Sequence, residues 1–121
     1  MTHGELLAAL MLEFSRGEAR LMRVNAGRGW TGKVVFQDRT RIVLSPYRPF
    51  HGVHEGVLDL IGWSGPACTF TSIDAKVGRD RVRPAQQNFI DLVLSHGGRA
   101  GAARSIDDAR AIIAGKNAPG I

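Results

Sequence analysis

Asp59, Asp74 and Lys76 are the side chains of this sequence best placed by type and spacing to do chemistry together. Asp59 interrupts the apolar run Val57-Leu58-Asp59-Leu60-Ile61, and Asp74 and Lys76 alternate at the end of a second run from Cys68 to Lys76. An ionised carboxylate among Val57, Leu58, Leu60 and Ile61 loses hydration and must recover it from a cation or from hydrogen-bond donors. In an extended strand alternate side chains share a face, so Phe70, Ser72, Asp74 and Lys76 lie on one side and Thr69, Thr71, Ile73 and Ala75 on the other. Asp74 and Lys76 then stand about 7 Å apart along the strand. Two carboxylates brought together repel each other. A hard divalent ion such as Mg²⁺ resolves that repulsion and keeps positions for water and phosphate. A lysine beside the ion orients an attacking water and offsets negative charge growing on a phosphate. The chemistry implied is metal-assisted phosphodiester hydrolysis, provided that the segment carrying Asp59 pairs with the one carrying Asp74. The bland alternative is a buried ion-pair cluster, a costly way to stabilise a small domain.

Gln86 joins this group through helical spacing. Gln86, Phe89, Ile90, Val93 and Gly97 follow the i, i+3, i+4, i+7 pattern of a buried helix face, whereas Gln87, Asn88, Asp91 and Ser95 fall outside it. The helix starts at Pro84, a residue suited to the first helical position, so Gln86 lies in the first turn and points at the sheet. There it can hold Lys76 or a water.

The elements that must position these residues are expected in the order α, a β-rich middle, α, β, α, within one domain spanning residues 1–121. A helix is expected over residues 3–15 and a strand over 19–25, followed by a glycine-rich turn (Gly27, Gly29, Gly32). A hairpin of Lys33 to Gln37 and Arg41 to Leu44 turns around Asp38-Arg39-Thr40, and residues 45–55 read as loop. The site strands cover residues 57–62 and 68–76. A helix over 84–96 stops at Gly97-Gly98, and a strand over 99–104 leads into a last helix. Ser105 with Asp108 three residues on marks the N-terminus of that helix, and Ile106, Ala109 and Ile113 form its inward stripe. The tail after Gly115 is expected to fray.

Lysine and arginine outnumber aspartate and glutamate by 16 − 11 = 5. A modest positive charge by itself only favours solubility. Clustering says more: Arg79, Arg81 and Arg83 form a basic loop directly after the site, Arg16, Arg20, Arg23 and Arg28 a second region, and Arg39 with Arg41 a third. Such groups suit phosphate contacts on a nucleic acid. One cysteine, Cys68, excludes an internal disulfide and a cysteine-rich zinc site, fits a reducing cytoplasm and reads as a buried small side chain. The longest apolar run, Leu6 to Leu12, is too short to span a bilayer.

Taken in order along the chain, the motifs resemble the VRR-NUC domain (virus-type replication-repair nuclease) of the PD-(D/E)xK superfamily, in the compact stand-alone form found in phages. The resemblance rests on a first helix with an early Glu5, on Arg20-Leu21-Met22-Arg23-Val24-Asn25-Ala26-Gly27 and Trp30-Thr31-Gly32-Lys33, and on Gly56-x-x-Asp59-Leu60-Ile61-Gly62. It continues through Asp74-x-Lys76, Gln86-x-x-Phe89, Gly97-Gly98-Arg99-Ala100 and Ser105-x-x-Asp108-Ala109. Leu58 stands where a small residue or proline is usual, Asp74 replaces the commoner Glu, and Val77 replaces a frequent Thr. The shorter reach of Asp74 bears on metal affinity and geometry.

The resemblance implies an α/β fold with a central mixed β-sheet flanked by helices, and a Mg²⁺- or Mn²⁺-dependent endodeoxyribonuclease. Asp59, Asp74 and the Ala75 carbonyl would hold metal, with Glu5 as a further ligand. Lys76 and Gln86 would complete the catalytic set. Arg79, Arg81, Arg83, Arg20, Arg23 and Lys33 would contact DNA. A homodimer acting on branched DNA such as four-way (Holliday) junctions is also implied, and the first helix, apolar on nearly all sides, is a candidate interface. A flap, single-strand or duplex nuclease, or a catalytically silent DNA-binding module, would share the same motifs. The alternative role for Glu5 is to close a capping box with Thr2. Glu13 and Glu18 read as solvated charges, His51 and His54 as DNA or loop contacts rather than zinc ligands, and Trp30 and Trp63 as packing residues rather than stacking platforms for bases.

Overall fold

Thr2 opens α1 (His3–Glu13): its Oγ1 accepts the Glu5 N–H, and the Glu5 carboxylate accepts the Thr2 N–H in return, a closed capping box. The computed structural model describes residues 1–24 and 28–115. The Asn25 end of the expected first strand, Gly27 of the expected turn, the Arg28 side chain and the tail beyond Gly115 lie outside the described residues. After α1 come β1 (Arg20–Arg23), β2 (Arg28–Gln37), β3 (Ile42–His51), β4 (Leu60–Ser64), β5 (Thr69–Ala75), α2 (Pro84–Ser95), β6 (Arg99–Ala103) and α3 (Ile106–Ile113).

Four strands form one mixed sheet in the order β1-β4-β5-β6, antiparallel except for the parallel pair β5–β6, whose crossover is α2. This is the α/β architecture expected. Leu6, Leu7, Leu10 and Phe14 of the first helical segment meet Leu21, Leu60, Ile73, Ala75, Ala103, Ala109 and Ile112 in the main core. Leu58, Ile90 and Ala100 form a second core beneath α2. Ala100 and Ala103 differ by an odd number of positions in β6, so the two cores cover opposite faces of the sheet. Both faces of β5 are therefore dry, and Thr71 to Lys76 are all buried. At Gly62 a Cβ would collide with the Arg20 carbonyl across the β1–β4 pair, so only glycine permits this strand spacing.

Leu6, Leu7 and Leu10 of α1 are buried in this core and so account for one side of the helix, while Leu12 is exposed on another. The inward stripe of α3 is also shifted from expectation. Ala109 and Ile112 are buried, while Ile106 and Ile113 pack at the margin.

The ribbon β2–β3 is a separate two-stranded sheet. It is longer than the sequence suggests, taking in residues expected as a glycine-rich turn and as a loop over 45–55. Register shifts between Gly32 and Val34 and between Val34 and Phe36 break the alternation that would have revealed it. Pro46 falls within the first of these register shifts, where regular ladder pairing is interrupted. The Asp38 carboxylate accepts the N–H groups of Thr40 and Arg41 at the tip, which holds its pKa below the ordinary value. Cys68 is exposed, not buried as expected, because it occupies the tight β4–β5 turn with φ 54°. Among the described residues, no helix is long and apolar enough to cross a membrane.

Candidate active site

The register of β4 against β5 places the two carboxylates. Leu60 faces Ile73 and Ile61 faces Ser72, so the next position outward sets Asp59 across from Asp74. Directly opposed residues of an antiparallel pair have Cβ atoms about 5 Å apart. The two aspartates tie this end of the ladder together reciprocally: the Asp59 N–H donates to Asp74 Oδ1 at 3.1 Å, and the Ala75 N–H donates to Asp59 Oδ2 at 3.0 Å. Gly56 prepares the approach. Its φ of 96° and the Ala85 carbonyl, 2.6 Å from where a Cβ would sit, bring the chain into Asp59 close against the start of α2.

Lys76 Nζ lies 2.9 Å from Asp74 Oδ2, with side-chain exposures of 9% and 4% respectively. A lysine this buried needs a second acceptor. Gln86 supplies it: Oε1 accepts from Lys76 Nζ at 2.9 Å and from the Arg83 N–H at 3.1 Å, while Nε2 donates to Asp74 Oδ2 at 3.3 Å. The expected inward aim of Gln86 is thus met, and the same side chain satisfies an N-terminal N–H of α2. Burial pushes the Asp74 carboxyl above its ordinary pKa, against the hydrogen bond from Lys76 and together with the charge of Asp59.

These residues line a pocket of about 300 Å³ formed by His3, Asp59, Asp74, Ala75, Lys76, Asp80, Arg81, Arg83 and Gln86. Asp59, Asp74, Ala75, Lys76 and Gln86, expected together, come together. Arg81 and Arg83 stand at the rim, whereas Arg79, Arg20, Arg23 and Lys33 are exposed outside it. Glu5 is engaged in the α1 cap and does not line the pocket. Glu13 pairs with Arg110 at 2.6 Å, and His51, His54, Trp30 and Trp63 are exposed away from the pocket. Two further contributors lack a sequence signal. His3 reaches Asp59 across 56 positions, Nε2 to Oδ2 at 3.0 Å. Arg104 donates to the Gly78 and Asp80 carbonyls and so latches the basic loop to the end of β6.

The VRR-NUC domain profile matches residues 12–107 of the sequence. The chain belongs to the VRR-NUC family. VRR-NUC domains are PD-(D/E)xK-like nucleases, and the mixed sheet with flanking helices is of that kind. Membership makes this VRR-NUC protein a nuclease acting on DNA. No curated protein matches the chain. Nucleases of the PD-(D/E)xK type generally use divalent metals. The donor chemistry of the VRR-NUC pocket fits one: two opposed carboxylates, one of them buried beside the charge of the other, present hard oxygens. Among the described residues no three His, Cys, Asp or Glu side chains are already gathered as a metal-binding group. Both oxygens of Asp74 are already held, Oδ2 by Lys76 and Gln86 and Oδ1 by the Asp59 N–H.

Proposed function

We propose that this VRR-NUC protein is a Mg²⁺- or Mn²⁺-dependent endodeoxyribonuclease working as a homodimer on branched DNA, four-way junctions among its substrates, in cytoplasmic replication, recombination or repair. The observation that carries this reading is the opposition of Asp59 and Asp74 at the end of the β4–β5 ladder, with Lys76 Nζ 2.9 Å from Asp74.

Asp59, Asp74 and the Ala75 carbonyl would hold the cation, which when bound supplies Lewis-acid polarisation of the scissile phosphate. Lys76, fixed between Asp74 and Gln86, orients the attacking water and brings positive charge to the phosphate as negative charge builds on its oxygens. Its position is set before substrate arrives, so little reorganisation is needed during the reaction. Arg81 and Arg83 at the rim, with Arg79 on the same loop, neutralise flanking phosphates. Arg20, Arg23 and Lys33, all exposed, extend this contact along a branched substrate.

Cutting two strands symmetrically needs two equivalent sites, and a two-fold dimer supplies them. The ribbon β2–β3 supports a dimer better than α1 does. Trp30, Phe36, Ile42, Tyr47 and Phe50 are exposed along it, and a lone two-stranded ribbon is marginal in water without further burial. A panel of labelled four-way junction, flap, single-stranded and duplex substrates, incubated with Mn²⁺, Mg²⁺ or chelator, tests the proposal. Junction cleavage that requires metal and leaves 5′-phosphate ends supports it. Preferential cutting of flaps or duplex would replace the substrate while keeping the chemistry.

A further inference from the structure

We propose that His3 is a nitrogen ligand of the divalent cation and biases the site toward Mn²⁺ over Mg²⁺; this rests on the reading of Asp59 and Asp74 as cation ligands. His3 Nε2 lies 3.0 Å from Asp59 Oδ2 and lines the same pocket. This contact is a hydrogen bond, and it holds the imidazole nitrogen directly beside a carboxylate oxygen read as a cation ligand, so both donors face the same point of the pocket. The backbone behind His3 is fixed. It is the first residue of α1, held by the Thr2–Glu5 cap on one side and by the buried Leu6 and Leu7 on the other.

Glu5 is the acidic residue of that first turn, and its carboxylate is committed to the Thr2 N–H. The helix thus offers the site an imidazole in place of a carboxylate. The family match begins at residue 12, so it says nothing about this turn. Without a cation Nε2–H donates to the Asp59 carboxylate, which can only accept; ligation through Nε2 would exchange that hydrogen bond for the tautomer with its proton on Nδ1. Imidazole nitrogen is a better donor to transition metals than to Mg²⁺, which holds to oxygen ligands and sheds water reluctantly.

The test is titration of the metal-free protein with Mn²⁺ and with Mg²⁺ by calorimetry, combined with electron spin-echo envelope modulation of the Mn²⁺-loaded protein, for wild type, His3→Gln and Asp59→Asn. The His3 side chain is 43% exposed, so its replacement leaves the core intact. The expected result is nitrogen modulation in the wild type that disappears in His3→Gln, with Mn²⁺ affinity reduced roughly 10-fold and Mg²⁺ affinity little changed. Mn²⁺ bound without nitrogen modulation, or modulation that survives His3→Gln, would overturn the role of His3; if Asp59→Asn still abolished binding, the two-carboxylate site would stand. Mn²⁺ affinity unchanged by Asp59→Asn would remove the site itself, and His3 with it.

Discussion

The Gln86 amide clasps Lys76 from α2: its Oε1 accepts from Lys76 Nζ at 2.9 Å, while its Nε2 turns to the aspartate that the lysine also holds. Lys76 is thereby immobilised by groups on two different elements. Replacing Gln86 by Leu leaves the lysine with one partner and an N-terminal N–H of α2 without its side-chain acceptor. We expect single-turnover cleavage to slow on the order of 100-fold, because a displaced charge no longer meets the transition state. DNA affinity measured in chelator should stay near that of wild type. A loss of affinity with an unchanged cleavage rate would contradict the positioning role.

Asp74 carries a pH signature in the metal-free protein. Burial raises its folded pKa above the unfolded value of about 3.9. A raised carboxyl adds stability below the unfolded value, and that stability is lost as pH rises through the folded value. The amide introduced by Asp74→Asn has no proton to lose over this range. Thermal unfolding in chelator from about pH 4 to pH 7 should therefore show Asp74→Asn gaining on wild type as pH rises, and saturating Mn²⁺ should reverse the order by stabilising wild type alone. A stability difference independent of pH would contradict the buried-charge account.

How much of the molecule is legible in its sequence depends on whether the signal is local. Alternation places Asp74 and Lys76 on one face, and helical spacing aims Gln86 at them; both patterns lie within single elements that the core holds firmly. The β4–β5 register needs only the short connection between two adjacent strands. The ribbon β2–β3 reads too short because Pro46, Pro49 and its register shifts remove the alternation that marks a strand. The apolar surface of α1 suggests an interface, since sequence cannot distinguish a helix buried in its own core from one awaiting a partner. His3 leaves no trace, because its contact with Asp59 depends on how α1 docks on the sheet.

Arg81 stands at the rim of the pocket. Arg81→Ala should weaken binding to all DNA forms similarly and reduce the dependence of log affinity on log salt by about one contact's share, a slope change of roughly 0.9 on duplex arms. Fluorescence anisotropy at several salt concentrations measures this. An unchanged slope would exclude the loop from the phosphate path.

Phe36 and Tyr47 are exposed on the ribbon. If the ribbon joins two copies, Phe36→Asp with Tyr47→Asp should convert a dimer to a monomer in light scattering, while the circular dichroism of the four-stranded sheet and helices persists. A dimer that survives both changes would move the interface elsewhere.

The claim on which the rest stands is that Asp59, Asp74 and Lys76 form one hydrolytic centre. Its most direct measurement compares wild type and Asp74→Asn on a labelled four-way junction with Mn²⁺, scoring binding and cutting in parallel. Wild type should bind and nick, and Asp74→Asn should bind but fail to cut. Equal cutting by the two proteins would place the chemistry somewhere other than the end of the β4–β5 ladder.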